Sequence, residues 1–173
     1  MIKKILVPVD GSPHSVKAVE LASDLASKYE AEIVLLHVLL RGHMPAGLKK
    51  ALEVEVGSHK SSSSEHMVNM PQQIMARVGG LKDTQLSLEE LNYIGKYVLS
   101  SVARICRDKG ITSVKERVEE GNPANVITKI AEEMPADMII MGNRGLSDFR
   151  GILVGSVSHK VSHMAKCTCV TVR

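Results

Sequence analysis

Residues 141–156, MGNRGLSDFRGILVGS, hold four of the chain's 13 glycines, with Arg144 among them and Ser156 at the end. Glycines lack a Cβ and let backbone N–H groups approach a ligand closely. A helix that begins at such a stretch adds unpaired N–H groups and the positive end of its dipole. The chemistry this suits is anion binding, above all of nucleotide phosphates. Gly155 and Ser156 would supply the helix terminus and a hydroxyl, Gly142 and Gly145 a turn passing close to sugar and phosphates, and Arg144 a positive charge. Near the start of the chain, Asp10-Gly11-Ser12-Pro13 offers a carboxylate and a helix cap. Neither Gly-x4-Gly-Lys-Ser/Thr nor a Gly-x-Gly-x-x-Gly after the first strand occurs, which excludes a Walker P-loop and a dinucleotide fingerprint. The competing reading is that the glycines only shape a surface loop.

The flanking elements favour a binding site. Lys3 to Val9 reads as a short strand, ended by the Asp10 turn, and apolar residues from Ser15 to Tyr29 recur at helical spacing. Glu32 to Leu40 is a nearly continuous apolar run, as expected of a parallel strand covered on both faces. Leu88 to Lys109 reads as a helix closed by Gly110, Ser113 to Glu119 as an alternating strand, and Gly121-Asn122-Pro123 as the opening of a helix to Glu133. Ala136 to Met141 is another buried strand, Ser156 to Lys166 a helix and Thr168 to Val172 the last strand. This alternation predicts one α/β domain over residues 1–173: an open, mostly parallel five-stranded sheet in the order 3-2-1-4-5, with helices on both faces. Ligands of such folds sit beyond the carboxyl ends of the strands, where Asp10, the segment after Val38 and Gly142 onward all fall.

Residues 41–87 interrupt the pattern with glycines, prolines and the run Ser58-His59-Lys60-Ser61-Ser62-Ser63-Ser64. The expectation is a flexible insertion over the strand ends, with short helices at Ala46 to Val56 and Pro71 to Val78. Met67, Met70 and Met75 are read as packing it onto the sheet rather than as a sticky surface, and His43, His59 and His66 as polar rather than metal-bound.

Other residues have chemistry of their own but weaker patterns. His159 and His163 stand at i, i+4, the spacing of a two-histidine metal pair, without the glutamate of a zincin or an evident third ligand, so a solvated face is the simpler reading and any metal is unknown. His14 lies near the expected phosphates but has no oriented nucleophile and base around it, and no catalytic residue is assigned. His37 reads as a satisfied core or strand-end histidine, and Cys167-x-Cys169 as packed side chains of one strand face. Three cysteines make no disulfide framework, and +3 net charge with four aromatic residues and no basic run argues against nucleic acid as a partner. No apolar run approaches a membrane span and no secretory signal follows Met1, so a cytoplasmic place and no membrane partner are expected.

Gly142-x2-Gly145-x9-Gly155-Ser156, together with KKILVPVDGSPHS, IVLLHV, ADMIIMGNRG and LVGSVSHKVSHMAKCTCVTV, resembles the nucleotide-binding branch of the universal stress protein family across the chain outside 41–87. The resemblance implies an adenine nucleotide alpha hydrolase-like fold and binding of ATP, or ADP or AMP, with Mg2+ or Mn2+ in some members. It makes Pro8 a nucleotide-binding residue and places Val9 and Asp10 at adenine and ribose, the Val38 backbone at the adenine edge, and Met141 and Gly142 at the ribose. Arg144 and Gly145 would flank the phosphates, and Gly155, Ser156, Val157 and Ser158 would donate to them. It also implies a homodimer through strand 168–172, and a nucleotide-dependent stress-response or signalling role with an unknown protein partner. The alternatives are a slow ATP hydrolase or phosphate-transfer protein, for which no general base stands out, and a nucleotide-free partner-binding α/β domain.

Overall fold

The computed structural model describes residues 1–40, 87–146 and 155–173. The insertion expected at 41–87, with its short helices, serine run, histidines and methionines, lies outside the described residues except for Ser87. In chain order come β1 (Lys4–Pro8), α1 (Pro13–Tyr29), β2 (Glu32–Leu39), α2 (Leu88–Asp108), β3 (Val114–Glu120), α3 (Pro123–Glu133), β4 (Met138–Gly142), α4 (Ser156–Met164) and β5 (Thr168–Val172). The sheet has the expected order β3-β2-β1-β4-β5, and every neighbouring pair is parallel. Strand order reverses between β1 and β4, which opens a crevice at their carboxyl ends.

Alternation along the central strands divides the core into two layers. Ile5, Val7, Val9, Ile33 and Leu35 pack with α1 and α2 on one face, while Leu6, Val34, Leu36, Ile139 and Met141 pack with α3 and α4 on the other. Each such large aliphatic side chain, fully buried, contributes roughly 1.5–3 kcal/mol of transfer free energy, so three short central strands anchor both layers. The edge strands are only partly covered: β3, VKERVEE, is rich in charge, and β5, TCVTV, has none. Among the described residues no helix is long and apolar enough to cross a membrane.

Helix ends follow local chemistry. α1 starts at Pro13, two residues before its apolar spacing begins, because the Ser12 side chain accepts from the Ser15 amide and proline needs no N–H in the first turn. Ser87 and Glu90 form a reciprocal capping box on α2, and Asn122 caps α3 with Pro123 behind it. α4 ends at Met164, short of the Lys166 expected from sequence, because Ala165 turns extended (φ −64°, ψ 137°) to lead the chain into β5.

Candidate functional site

The crevice is lined by the chain leaving β1, β2 and β4. Past β1, the Val9 amide donates to the Leu36 carbonyl at 2.8 Å, and His37 Nδ1 lies 2.7 Å from the Val9 carbonyl. Gly11 then turns the chain at φ +85°, a conformation that favours glycine, and leads into α1. Asp10 stands between two loops: Oδ1 accepts from the Ser12 amide at 3.0 Å, and Oδ2 from the Leu146 amide at 3.2 Å. Its carboxylate therefore ties the turn before α1 to the chain that follows β4.

Two of the motif glycines are required by this closeness. A Cβ at Gly145 would lie 2.6 Å from Asp10 Oδ2. A Cβ at Gly142 would lie 2.9 Å from His14 Cβ and 3.0 Å from the His14 backbone carbon, so the first turn of α1 rests directly on the end of β4.

The start of α4 is held by Asn143. Its amide donates to the Val172 carbonyl at 2.7 Å, prolonging the β4–β5 pairing, while its carbonyl accepts from the Gly155 amide at 2.7 Å. The Ser158 hydroxyl lies 2.9 Å from the carbonyl oxygens of both Asn143 and Gly155. Gly155 is the N-cap residue, and among the described residues no side chain caps the helix. The first amide bonded back along α4 is that of His159, to the Gly155 carbonyl at 2.9 Å. The amides of Ser156, Val157 and Ser158 thus make up the open first turn, where a helix has no carbonyl of its own to offer. Arg144 stands beside it, its Cα 3.5 Å from where a Gly155 Cβ would be.

On the far side of β1, the backbone of Val38 is directed into the crevice. Residues of β2 alternate between neighbours: Glu32 donates toward β1, Ile33 toward β3, and the Leu36 carbonyl faces β1 again. Val38 shares the direction of Leu36, two residues beyond the last β1 partner, Pro8. Its amide and carbonyl therefore face the side of β2 on which β1 ends.

Geometry refines the expected list. Asp10, Gly142, Arg144, Gly145, Gly155, Ser156, Val157 and Ser158 gather around the crossing from β4 to α4. The Ser158 hydroxyl is turned inward, onto the carbonyls of Asn143 and Gly155. Val9 and Met141 are buried in opposite core layers, and their side chains belong to the packing. Residues 147–154, the middle of the glycine-rich stretch, lie outside the described residues.

Asn143, Leu146 and the bond from His37 to Val9 were not legible as parts of the site. Asn143 and Leu146 fall at unspecified positions of the glycine motif and act through their backbone. Burial holds His37 below the usual histidine pKa of 6.5, against the opposing effects of its backbone bond and the Asp10 charge. The His14 Nδ1 is buried and finds no hydrogen-bond partner among the described residues.

The remaining candidates stay separate from the crevice chemistry. The His159 and His163 rings are exposed with centroids 4.6 Å apart, and among the described residues no group of three or more His, Cys, Asp or Glu side chains is placed to hold a metal. Cys167 and Cys169 pack against the α3/α4 layer, and burial pushes both thiols up, as for packed rather than reactive cysteines.

The universal stress protein family model matches residues 1–173. A curated relative, universal stress protein YxiE of Bacillus subtilis, is 29% identical over 173 residues, covering 100% of both chains. Among solved structures, hypothetical protein MJ0577 superimposes with a TM-score of 0.67 at 25% identity, over 99% of this chain and 96% of that one. Universal stress proteins solved with cAMP, with dAMP (Archaeoglobus fulgidus) and with AMP (Arabidopsis thaliana) share the fold at TM-scores of 0.61, 0.62 and 0.60. Their identities are 21%, 17% and 18%, with at least 98% of this chain and 90% of theirs covered.

Proposed function

The chain belongs to the universal stress protein family, and from that premise we propose that it binds an adenine nucleotide, ATP above ADP or AMP, as a stress-response or signalling module in the cytoplasm. The observation that carries this reading is the start of α4: a glycine-capped helix with no side-chain cap among the described residues, beside Arg144. Backbone amides and the helix dipole there suit a phosphate chain, and the Val38 backbone suits an adenine edge. The complexes of related folds with cAMP, dAMP and AMP support the base and sugar of this ligand. Mg2+ or Mn2+ would come with the triphosphate and be held by its oxygens.

Identification of the small molecules released on denaturing the purified protein, by anion-exchange chromatography with mass detection, tests the reading. About one ATP or ADP per chain, absent from Gly155→Asp, is the expected result. A protein that is empty and ignores added ATP and AMP overturns it. A signalling role further requires that nucleotide prefer one conformation, visible as a difference in hydrogen exchange between the loaded and free protein.

The same reading includes a homodimer through β5. That edge carries no charged side chain, whereas the opposite edge presents Lys115, Glu116, Arg117, Glu119 and Glu120. The Val172 carbonyl faces β4, so the backbone groups of Thr171 face outward. Thr171→Pro removes an outward N–H without touching the β4 ladder, and sedimentation velocity is expected to show a dimer becoming a monomer.

A further inference from the structure

Among the described residues, His37 is a buried titratable group bonded to the crevice, and the function just described leaves it without a task. The residue is 6% exposed, with Nδ1 2.7 Å from the Val9 carbonyl. Val9 is the last residue before Asp10, so this bond fixes the chain just ahead of the carboxylate that joins the two loops. The far side of the ring is held by α2. A Cβ at Gly95 would lie 2.9 Å from His37 Cδ2, with Val118 Cγ1 at 3.2 Å and Leu39 Cδ2 at 3.3 Å. A glycine in mid-helix weakens a helix relative to alanine, and here it forms the notch that receives the imidazole.

We infer that His37 is a positioning residue for the nucleotide site: its Nδ1–H holds the Val9 carbonyl, and Gly95 of α2 holds the ring in the orientation that makes this bond. The inference rests on the nucleotide reading above. It deepens that reading by making α2, an element that does not line the crevice, a determinant of affinity. The notch at Gly95 is closed on its other sides by Val118 and Leu39, and Asp10 is the acidic group whose charge acts on the ring. A neutral ring with its proton on Nδ1 meets both conditions, because it donates to Val9 without bringing a charge into the core.

Asparagine places a side-chain N–H near the position of Nδ1 but has no ring to fill the notch, so it separates the two roles. ATP and AMP are the probes, titrated calorimetrically into the full chain. His37→Ala is expected to weaken binding about tenfold, the loss of one buried hydrogen bond, and His37→Asn to recover most of it. Gly95→Ala is expected to weaken binding in the wild-type background and to do so markedly less in His37→Asn, where the ring it would strike is gone.

In the free protein, nitrogen NMR of the ring is expected to show the Nδ1–H form with a hydrogen-bonded proton. The Nε2–H form would overturn the inference. So would binding by His37→Ala equal to wild type, or a Gly95→Ala effect that is the same in both backgrounds. Should His37→Ala fail to fold, His37→Asn, Gly95→Ala and the NMR signature decide the matter. Failure of the unaltered protein to bind ATP or AMP overturns the nucleotide reading and this inference together, whereas tight binding indifferent to His37 overturns this inference alone.

Discussion

α1 and α4 start at the same end of the sheet, from neighbouring strands, yet their first turns are built in opposite ways. α1 is closed: Ser12 accepts the Ser15 amide, Pro13 brings no N–H, and Asp10 takes the Ser12 amide. α4 is open: its cap residue is Gly155, and the nearby hydroxyl of Ser158 is spent on carbonyl oxygens. Local chemistry that satisfies a helix makes it stable and inert, and chemistry withheld from it leaves donors for something else. α2 and α3 side with α1, since Ser87 and Asn122 cap them, so among the described helices the exception is confined to the crevice.

The largest test of this contrast is to close the open end. Gly155→Asp brings a good capping side chain and a negative charge to the place proposed for phosphate. It is expected to lower ATP affinity by roughly a hundredfold or more, about 2.7 kcal/mol, in a calorimetric titration. Thermal unfolding is expected to change little, because the gain of a cap offsets the crowding of the Asn143 carbonyl 3.1 Å from the new Cβ. A loss of binding that merely tracked a loss of stability would remove the distinction between the two termini.

Next in size is the contact that sets them side by side. Gly142→Ala pushes against backbone of His14 rather than a movable side-chain end, and is expected to cost about 1–3 kcal/mol in denaturant unfolding. Ser12→Ala, which opens the closed end, is expected to cost about 1 kcal/mol of stability while ATP affinity stays within a few-fold. A large affinity effect there would mean that α1 also supplies donors.

The smallest effect is in pH. His37 takes up its proton less readily in the folded chain than its ordinary value of 6.5, so the unfolded chain gains protons first as pH falls. Stability is expected to be full above pH 6.5 and to decline below it until the native ring also protonates, and the decline should flatten in His37→Asn.

Where burial on both faces dictated composition, the fold was legible in the chain. The β1, β2 and β4 runs announced a parallel sheet, and Asn122-Pro123 announced the start of α3. β3 was found one residue later than its alternation placed it, at 114–120 rather than 113–119, because an edge strand with half-covered positions fixes its own register weakly. The glycines of the crevice were legible as places of close approach, but what approaches them was not. That Gly145 faces Asp10, Gly142 faces His14 and Gly95 faces His37 follows from packing between segments far apart in sequence. Asn143 was hidden for another reason, since its bonds to Val172 and Gly155 use backbone atoms that every residue type has.

The bond from the Leu146 amide to Asp10 spans 136 residues of sequence, and β1 gains its β4 neighbour only at Met138 and Ile139. On a ribosome, the first strand is therefore made long before its partner on that side, and the glycine-capped helix later still. A nascent chain can pair β1 with β2 early, but the crevice does not exist until the final elements have emerged and docked. Capture of the proposed nucleotide would then report that α4 and β5 have docked, and a chain released before Met138 leaves one flank of β1 exposed.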